Sequence, residues 1–339
     1  MRIRRVFLAA GLALSALVVA LFGAVGTTGA APATVFGPPT ETSKMILADT
    51  SIDGPGLWTS PTGATRAVLA WTGTDPAHHL NYMTSADGRT FGNKHIVNET
   101  SPFRPAIAAV STDANPTVLI AWTGTDAAHH VNLLSGVPGQ GYTKAILPQT
   151  SFTAPSLALN GGTVYVAWAG TDANHSLNIV PIVWRGGLSI GPTVTLWQYG
   201  TITRHNLAFD PNSNQLILSF TTPTNRIAFL TSSDGVKWNA PASSPLAEWS
   251  DVSPTMAGFA ANNMPRYFVT WRGMDAGHSL NVQYTESFPR WPADNSKGIL
   301  REATFGGPTV GYVGANRQVI VAWTGTDASH HLNVAVISM

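Results

Sequence analysis

Eight of the ten histidines in this 339-residue chain fall in five copies of one short pattern that also fixes a Trp, a Gly, an Asp and an Asn. The copies run from Trp71 to Asn81, Trp122 to Asn132, Trp168 to Asn178, Trp271 to Asn281 and Trp323 to Asn333. A carboxylate, an imidazole and an amide within one hairpin can direct hydrogen bonds at hydroxyl groups, and an indole can cover the apolar face of a sugar ring. The candidate ligand residues are therefore Trp71, Asp75, His78 and Asn81; Trp122, Asp126, His129 and Asn132; Trp168, Asp172, His175 and Asn178; Trp271, Asp275, His278 and Asn281; and Trp323, Asp327, His330 and Asn333. Five weak sites on one molecule gain avidity on a surface that displays many copies of a ligand, and saturation is then expected at five.

The same residues also describe a rigid hairpin. Gly supplies a turn conformation closed to other residues, Asp accepts from the turn backbone and from the His three positions on, and Trp fills a wedge. A structural need of each repeating unit would produce five copies, whereas catalysis needs one site. Metal binding fits less well. Adjacent histidines on a strand do not chelate one ion, and Ser176 and Ser279 replace the second His in two copies. The chain has no cysteine, so thiol chemistry and thiolate sites are excluded. No serine-hydrolase elbow, phosphate loop or dinucleotide fingerprint stands in a strand–turn–helix context, and neither metal nor cofactor is expected.

Five similar segments need elements that repeat. The Trp residues lie 51, 46, 103 and 52 positions apart, a period near fifty with one unit disguised in the long gap. Before each Trp comes a β-branched apolar run such as Ala67–Ala70 or Val118–Ala121, which reads as a strand buried on both faces. A shorter strand opened by Pro55, Pro105, Pro155, Pro254 or Pro308 precedes it, and a third follows the motif. A fourth follows as Lys94–Val97, Lys144–Leu147, Val194–Leu196, Pro245–Ala247 or Lys297–Leu300. The disguised unit occupies 202–247, where Phe220 to Ala228 takes eight positions against ten from Trp to Asn elsewhere. The sixth unit ends after its third strand, and Lys44–Ser51 matches the fourth strands of the first two units. This predicts an all-β fold, a six-bladed propeller of four-stranded antiparallel blades over 44–339, closed by its N-terminal strand so that no edge is left bare.

Charged residues make up 11% of the chain against roughly 25% in ordinary soluble proteins, and the net charge is +1. No basic run follows a phosphate backbone, so nucleic acid is not an expected partner. Met1-Arg-Ile-Arg-Arg5 and the apolar stretch Val6–Val25, followed by small residues at Thr28–Ala33, read as a signal peptide over 1–33 with a linker at 34–43. An uncleaved membrane anchor is the alternative.

Ser85-Ala-Asp-Gly-Arg-Thr-Phe91 and Ser233-Asp-Gly-Val-Lys-Trp238 resemble the Asp-box (BNR-type) turns of the sialidase-like propeller superfamily. The likeness is one of fold, and in that family the box is a structural turn facing away from the active site. It also implies an alternative function, a glycoside hydrolase with one site on the loop face near the propeller axis. Such an enzyme needs an arginine cluster, a Tyr nucleophile with a Glu partner and an Asp acid. Phe103-Arg104-Pro105 is similar to that family's Phe/Tyr-Arg-Ile-Pro element but lacks the residue between Arg and Pro. Arg104, Arg204 and Arg272 break their repeat positions and form the candidate anion site, with Glu99, Glu248, Asp251 and Tyr199 near the same face. No triad is convincing, and no catalytic residue is assigned. The expected role is that of an exported, monomeric, non-catalytic binding or scaffold propeller, acting on a glycan or a cell-surface partner.

Overall fold

In the computed structural model the described residues are 38–338, without 61, 112, 138, 139, 185–187, 200–203, 242, 243, 245, 262, 263, 287, 292–295 and 314–317. The expected leader at 1–33, and 34–37 of the expected linker, lie outside them.

Six antiparallel sheets follow one another along the chain. Blade 1 is built from Gly56–Thr59, Ala67–Thr72, His79–Ser85 and Gly92–Thr100, and blade 2 from Ala106–Ala109, Val118–Thr123, His130–Val137 and Gly141–Thr150. Blade 3 takes Ser156–Asn160, Thr163–Ala169 and Leu177–Trp184, and its outer position is divided between Leu188–Ile190 and Val194–Thr195. Blade 4 is His205–Asp210, Gln215–Thr221 and Ile227–Ser232. Blade 5 is Thr255–Ala261, Met264–Arg272, Ser279–Thr285 and Lys297–Ala303, and blade 6 is Thr309–Val313, Gln318–Thr324 and His331–Ser338. The first strand of the fold, Thr40–Thr50, pairs antiparallel with His331–Ser338 and completes blade 6. The chain is thus a six-bladed β-propeller closed by its N-terminal strand. That strand begins at Thr40, so it takes in part of the segment expected to be a linker.

The register places Trp71 opposite Asn81 and Trp122 opposite Asn132, with the same pairing at Trp168, Trp271 and Trp323. Blade 4 pairs Phe220 with Ala228, as its shortened hairpin requires. Its expected fourth strand at 245–247 is not a ladder. Leu246 donates to the Ile227 carbonyl and Ile227 to that of Glu248, and only isolated bridges flank them; Pro245 lies outside the described residues.

The core is six wedges rather than one centre. Six buried clusters occur among the described residues, each drawn from two adjoining blades. In blade 1, Ala67, Leu69 and Trp71 pack against blade 6, while Val68 and Ala70, on the other face of the same strand, pack against blade 2. A strand buried on both faces has no room for polar alternation, which is why these runs are apolar throughout. Each of the five motif indoles packs against the preceding blade. Truncating one to Ala is expected to cost about 3–5 kcal/mol.

Candidate functional site

The motif occupies the hairpin between second and third strands, on the face where one blade leads into the next. In blade 1, Asp75 accepts from the Ala77 and His79 amides, and its Oδ1 meets His79 Nδ1 at 2.7 Å. The hairpin's partner for Asp75 is thus His79, not His78 as expected from the sequence. The same pairing joins Asp126 to His130 and Asp327 to His331, and in blades 3 and 5 the hydroxyls of Ser176 and Ser279 take the place of the imidazole. His and Ser alternate there because each offers a donor at the same point. Asn81 Nδ2 caps the turn by donating to the His79 carbonyl at 2.8 Å. Desolvation pushes the Asp75 carboxyl up, but the bonds from the His79 ring, the His79 amide and the Ala77 amide outweigh it and hold it below the usual aspartate range.

Two further expectations are corrected. The motif glycine is not the residue in a left-handed conformation; His78, His129, His175, His278 and His330 are, with φ of 47–57°. Gly73 is required by space, since a Cβ there would stand 2.7 Å from Asp75 Oδ2 and 3.0 Å from Asn81 Nδ2. The indoles of Trp71, Trp122, Trp168, Trp271 and Trp323 are 0–1% exposed and offer no face for stacking. Over four of them lies an ammonium group from the outer strand, Lys94 on Trp71, Lys144 on Trp122, Lys297 on Trp271 and Lys44 on Trp323, at 5.3–5.6 Å from the ring.

Each of these lysines also reaches a carboxylate on the outer segment of the preceding blade, which is a strand in every case but that of blade 4. Lys94 meets Asp49, Lys144 meets Glu99 at 2.7 Å, Lys297 meets Glu248 at 2.7 Å and Lys44 meets Glu302 at 2.6 Å. Two residues beyond each lysine stands an isoleucine, Ile96, Ile146, Ile299 or Ile46, that is 60–66% exposed. The same groups therefore recur between blades: an aliphatic patch, a bridged lysine–carboxylate pair and the open edge of the Asp–His or Asp–Ser pair. The groove between blades 4 and 5 has a volume of about 670 Å³ and is lined by Ile299, Lys297, Glu248, Asp275, Asn281 and Trp249, among others. Trp249 is 47% exposed and carries the Arg226 guanidinium 4.9 Å from its ring centre. In blades 6, 1 and 2 its position holds a threonine joined to the next motif, in the pairs Thr50–Thr74, Thr100–Thr125 and Thr150–Thr171. Blades 3 and 4 lack the Lys-x-Ile element, so the full set occurs in four blades, not five.

Sequence reasoning missed Trp249 and the outer isoleucines. Their signals were present: a Trp where the repeat has Thr, and a Lys-x-Ile phase kept in four outer strands.

The three arginines of the anion-site expectation have different partners. Arg272 grips Asp251 through both carboxylate oxygens, Nε at 2.9 Å and Nη2 at 2.7 Å, and donates to the Phe305 carbonyl. Arg204 donates to Asn225 Oδ1 at 2.9 Å. Arg104 is 6% exposed and lines the axial cavity, which neither of the others touches. The neighbouring candidates are engaged as well, Glu99 and Glu248 with lysines and Tyr199 with the Trp238 carbonyl at 2.6 Å. Among the described residues no group of three or more His, Asp or Glu is placed to hold a metal ion.

No protein-family model and no curated protein matches this sequence. Solved structures match its fold. The lectin of Aleuria aurantia, a six-bladed β-propeller described for its fucose recognition mode, aligns with a TM-score of 0.60 at 12% identity, over 88% of this chain and 97% of that one. The sialidase of Trypanosoma rangeli aligns with a TM-score of 0.57 at 12% identity, over 86% of this chain and 55% of that one. At such identities the likeness is one of fold.

Proposed function

We propose that this protein is an exported carbohydrate-binding propeller whose sugar sites are the grooves between blades, with the groove between blades 4 and 5 the strongest. The observation that carries the reading is the recurrence of an exposed isoleucine beside a lysine–carboxylate bridge and an Asp–His or Asp–Ser pair. An isolated exposed aliphatic residue needs no explanation, but one repeated at the same place in four blades makes a built surface. A pyranose has an apolar face that such a patch covers, and hydroxyls that carboxylate, ammonium and amide groups can bond. At the blade 4–5 groove Trp249 adds an aromatic surface, which suits a sugar better than isoleucine does. The two structural neighbours bear names from carbohydrate recognition and carbohydrate hydrolysis, in keeping with this use of the fold. Export rests on the signal-like residues 1–33, and N-terminal sequencing of secreted protein should then find a start between Ala31 and Thr34.

A glycan array followed by calorimetry tests the reading. Four sugars per chain are expected at saturation. Trp249→Ala should weaken the tightest site roughly tenfold, the equivalent of losing about 1.4 kcal/mol of stacking and apolar contact. Five equivalent sites, or binding untouched by Trp249→Ala combined with Ile299→Asp, would sink the groove assignment.

A further inference from the structure

The inner strands of the blades enclose an axial cavity of about 480 Å³, running from their Pro-led starts to their far ends at Thr59, Pro211 and Ala260. Its wall is largely aliphatic, with Leu57, Ile107, Leu157, Leu207, Met256 and Val310 on successive blades. One cation lines it, Arg104 of blade 2, which enters at the end nearest the motif loops. The guanidinium extends to blade 6, where a Cβ on Gly307 would lie 2.9 Å from Arg104 Nη1 and 3.0 Å from the Ser253 carbonyl. A Cβ on Gly54 would fall 1.9 Å from the Gly307 carbonyl, so backbone packs tightly beside the guanidinium at this end.

Among the described residues nothing accepts a hydrogen bond from Arg104, and no carboxylate makes an ion pair with it. Asp53 acts on it at longer range, with its own Oδ1 taken by the Gly54 amide at 2.6 Å. A guanidinium has five N–H donors and no acceptor, and burying one unmatched is costly. Buried polar groups are as a rule satisfied, so an open one beside an apolar cavity marks the place of a missing partner. The aliphatic side chains of the wall suit an apolar body better than a fully hydroxylated one.

We propose that the axial cavity binds, once per chain, a small amphiphile with an apolar body and an anionic head, such as an alkyl carboxylate, whose head group Arg104 holds. This site is separate from the inter-blade grooves and stands whether or not they bind sugar.

Calorimetric titration of the whole chain with octanoate, 1-octanol and octylammonium tests it. Octanoate should bind one per chain, with 1-octanol at least about tenfold weaker and octylammonium not bound, because only the carboxylate completes the guanidinium. Octanoate should also raise the melting temperature as its concentration rises, since only the folded chain holds the site. Arg104→Met keeps the length and removes the charge. It should erase the preference for octanoate over 1-octanol and melt no lower than the native protein, because an unmatched buried charge is gone. Ala106→Phe narrows the cavity with Arg104 intact, and octanoate should bind it about tenfold more weakly. Equal binding of the three probes by the native chain, no octanoate binding at millimolar concentration, octanoate affinity unchanged in Arg104→Met, or an unfolded or lower-melting Arg104→Met would each overturn the proposal.

Discussion

The five motif histidines in left-handed conformation occupy a backbone region that costs a residue with a Cβ about 1–2 kcal/mol, and Asn, Asp and His are the side chains that visit it most often. His78→Gly is therefore expected to leave the melting temperature unchanged or raise it, while His78→Val should lower it by several degrees, because a β-branched side chain tolerates this conformation worst. A marked drop on His78→Gly would mean that the imidazole itself holds the hairpin. The neighbour carries that part: His79→Ala should cost about 0.5–1 kcal/mol, a hydrogen bond discounted for its exposure. The sequence made the pattern visible but left the partner of Asp75 ambiguous. Two adjacent histidines satisfy the same spacing argument, and only the turn's handedness decides which one faces the carboxylate.

The aspartates Asp75, Asp126, Asp172, Asp275 and Asp327 also set an acid limit. All five are held below the ordinary aspartate value of 3.8, and their largest single influence, desolvation, is outweighed in each by hydrogen bonds to the carboxylate. A carboxyl lowered in the fold contributes stability that is complete above its unfolded value and is lost as pH falls through its folded value. The urea midpoint should therefore fall between about pH 5 and pH 3, and Asp126→Asn should make that fall shallower. A flat profile in Asp126→Asn and native protein alike would remove these carboxylates from the stability account.

Between elements, the residue after the motif Trp works as a latch in three of the five copies. Thr72 Oγ1 donates to the Phe103 carbonyl at 2.6 Å, Thr123 to Thr153 at 2.6 Å and Thr324 to Asp53 at 2.6 Å, each tying one blade to the loop that opens the next. Arg272 stands at the same repeat position but donates one residue earlier, to the Phe305 carbonyl, where the threonine pattern points to Gly306. A residue that breaks a repeat can thus tie the same two elements through a neighbouring carbonyl. This predicts that Arg272→Thr keeps the native melting temperature, whereas Arg272→Ala loses about 1 kcal/mol with the carbonyl left unmatched. Equal losses in both variants would show that the Asp251 ion pair, not the latch, is what Arg272 contributes. Strand positions and the Trp-to-Asn register were legible because five copies averaged out local noise. Blade 4 was legible from the gap in the period and its shortened Phe220–Ala228 hairpin, but its outer strand was not, because the residues that would form a ladder there give way to isolated bridges. The inter-blade grooves escaped notice for a different reason: each is assembled from residues about fifty positions apart, on strands that read separately as ordinary.

At the scale of the molecule, the strand Thr40–Thr50 determines whether the six wedges close. Removing residues 34–50 bares the long edge of His331–Ser338 and the cluster that includes Leu47, Val334 and Val336. The truncated chain is expected to melt far lower or to aggregate, measured by scanning calorimetry and light scattering; unchanged melting would show that blade 6 stands on three strands. The same strand has a consequence in time. Blades 1 to 5 pair only with residues made within the preceding few dozen, but Thr40 must wait for Ser338, almost three hundred positions later. The earliest piece of the fold to be synthesised is the last to find its partner, so throughout assembly an unmatched strand and, at the end, its unmatched receptor coexist on one chain. Another copy's early strand could fill that receptor as well as its own, and at high local concentration the fold's route to a closed monomer competes with exchange between molecules.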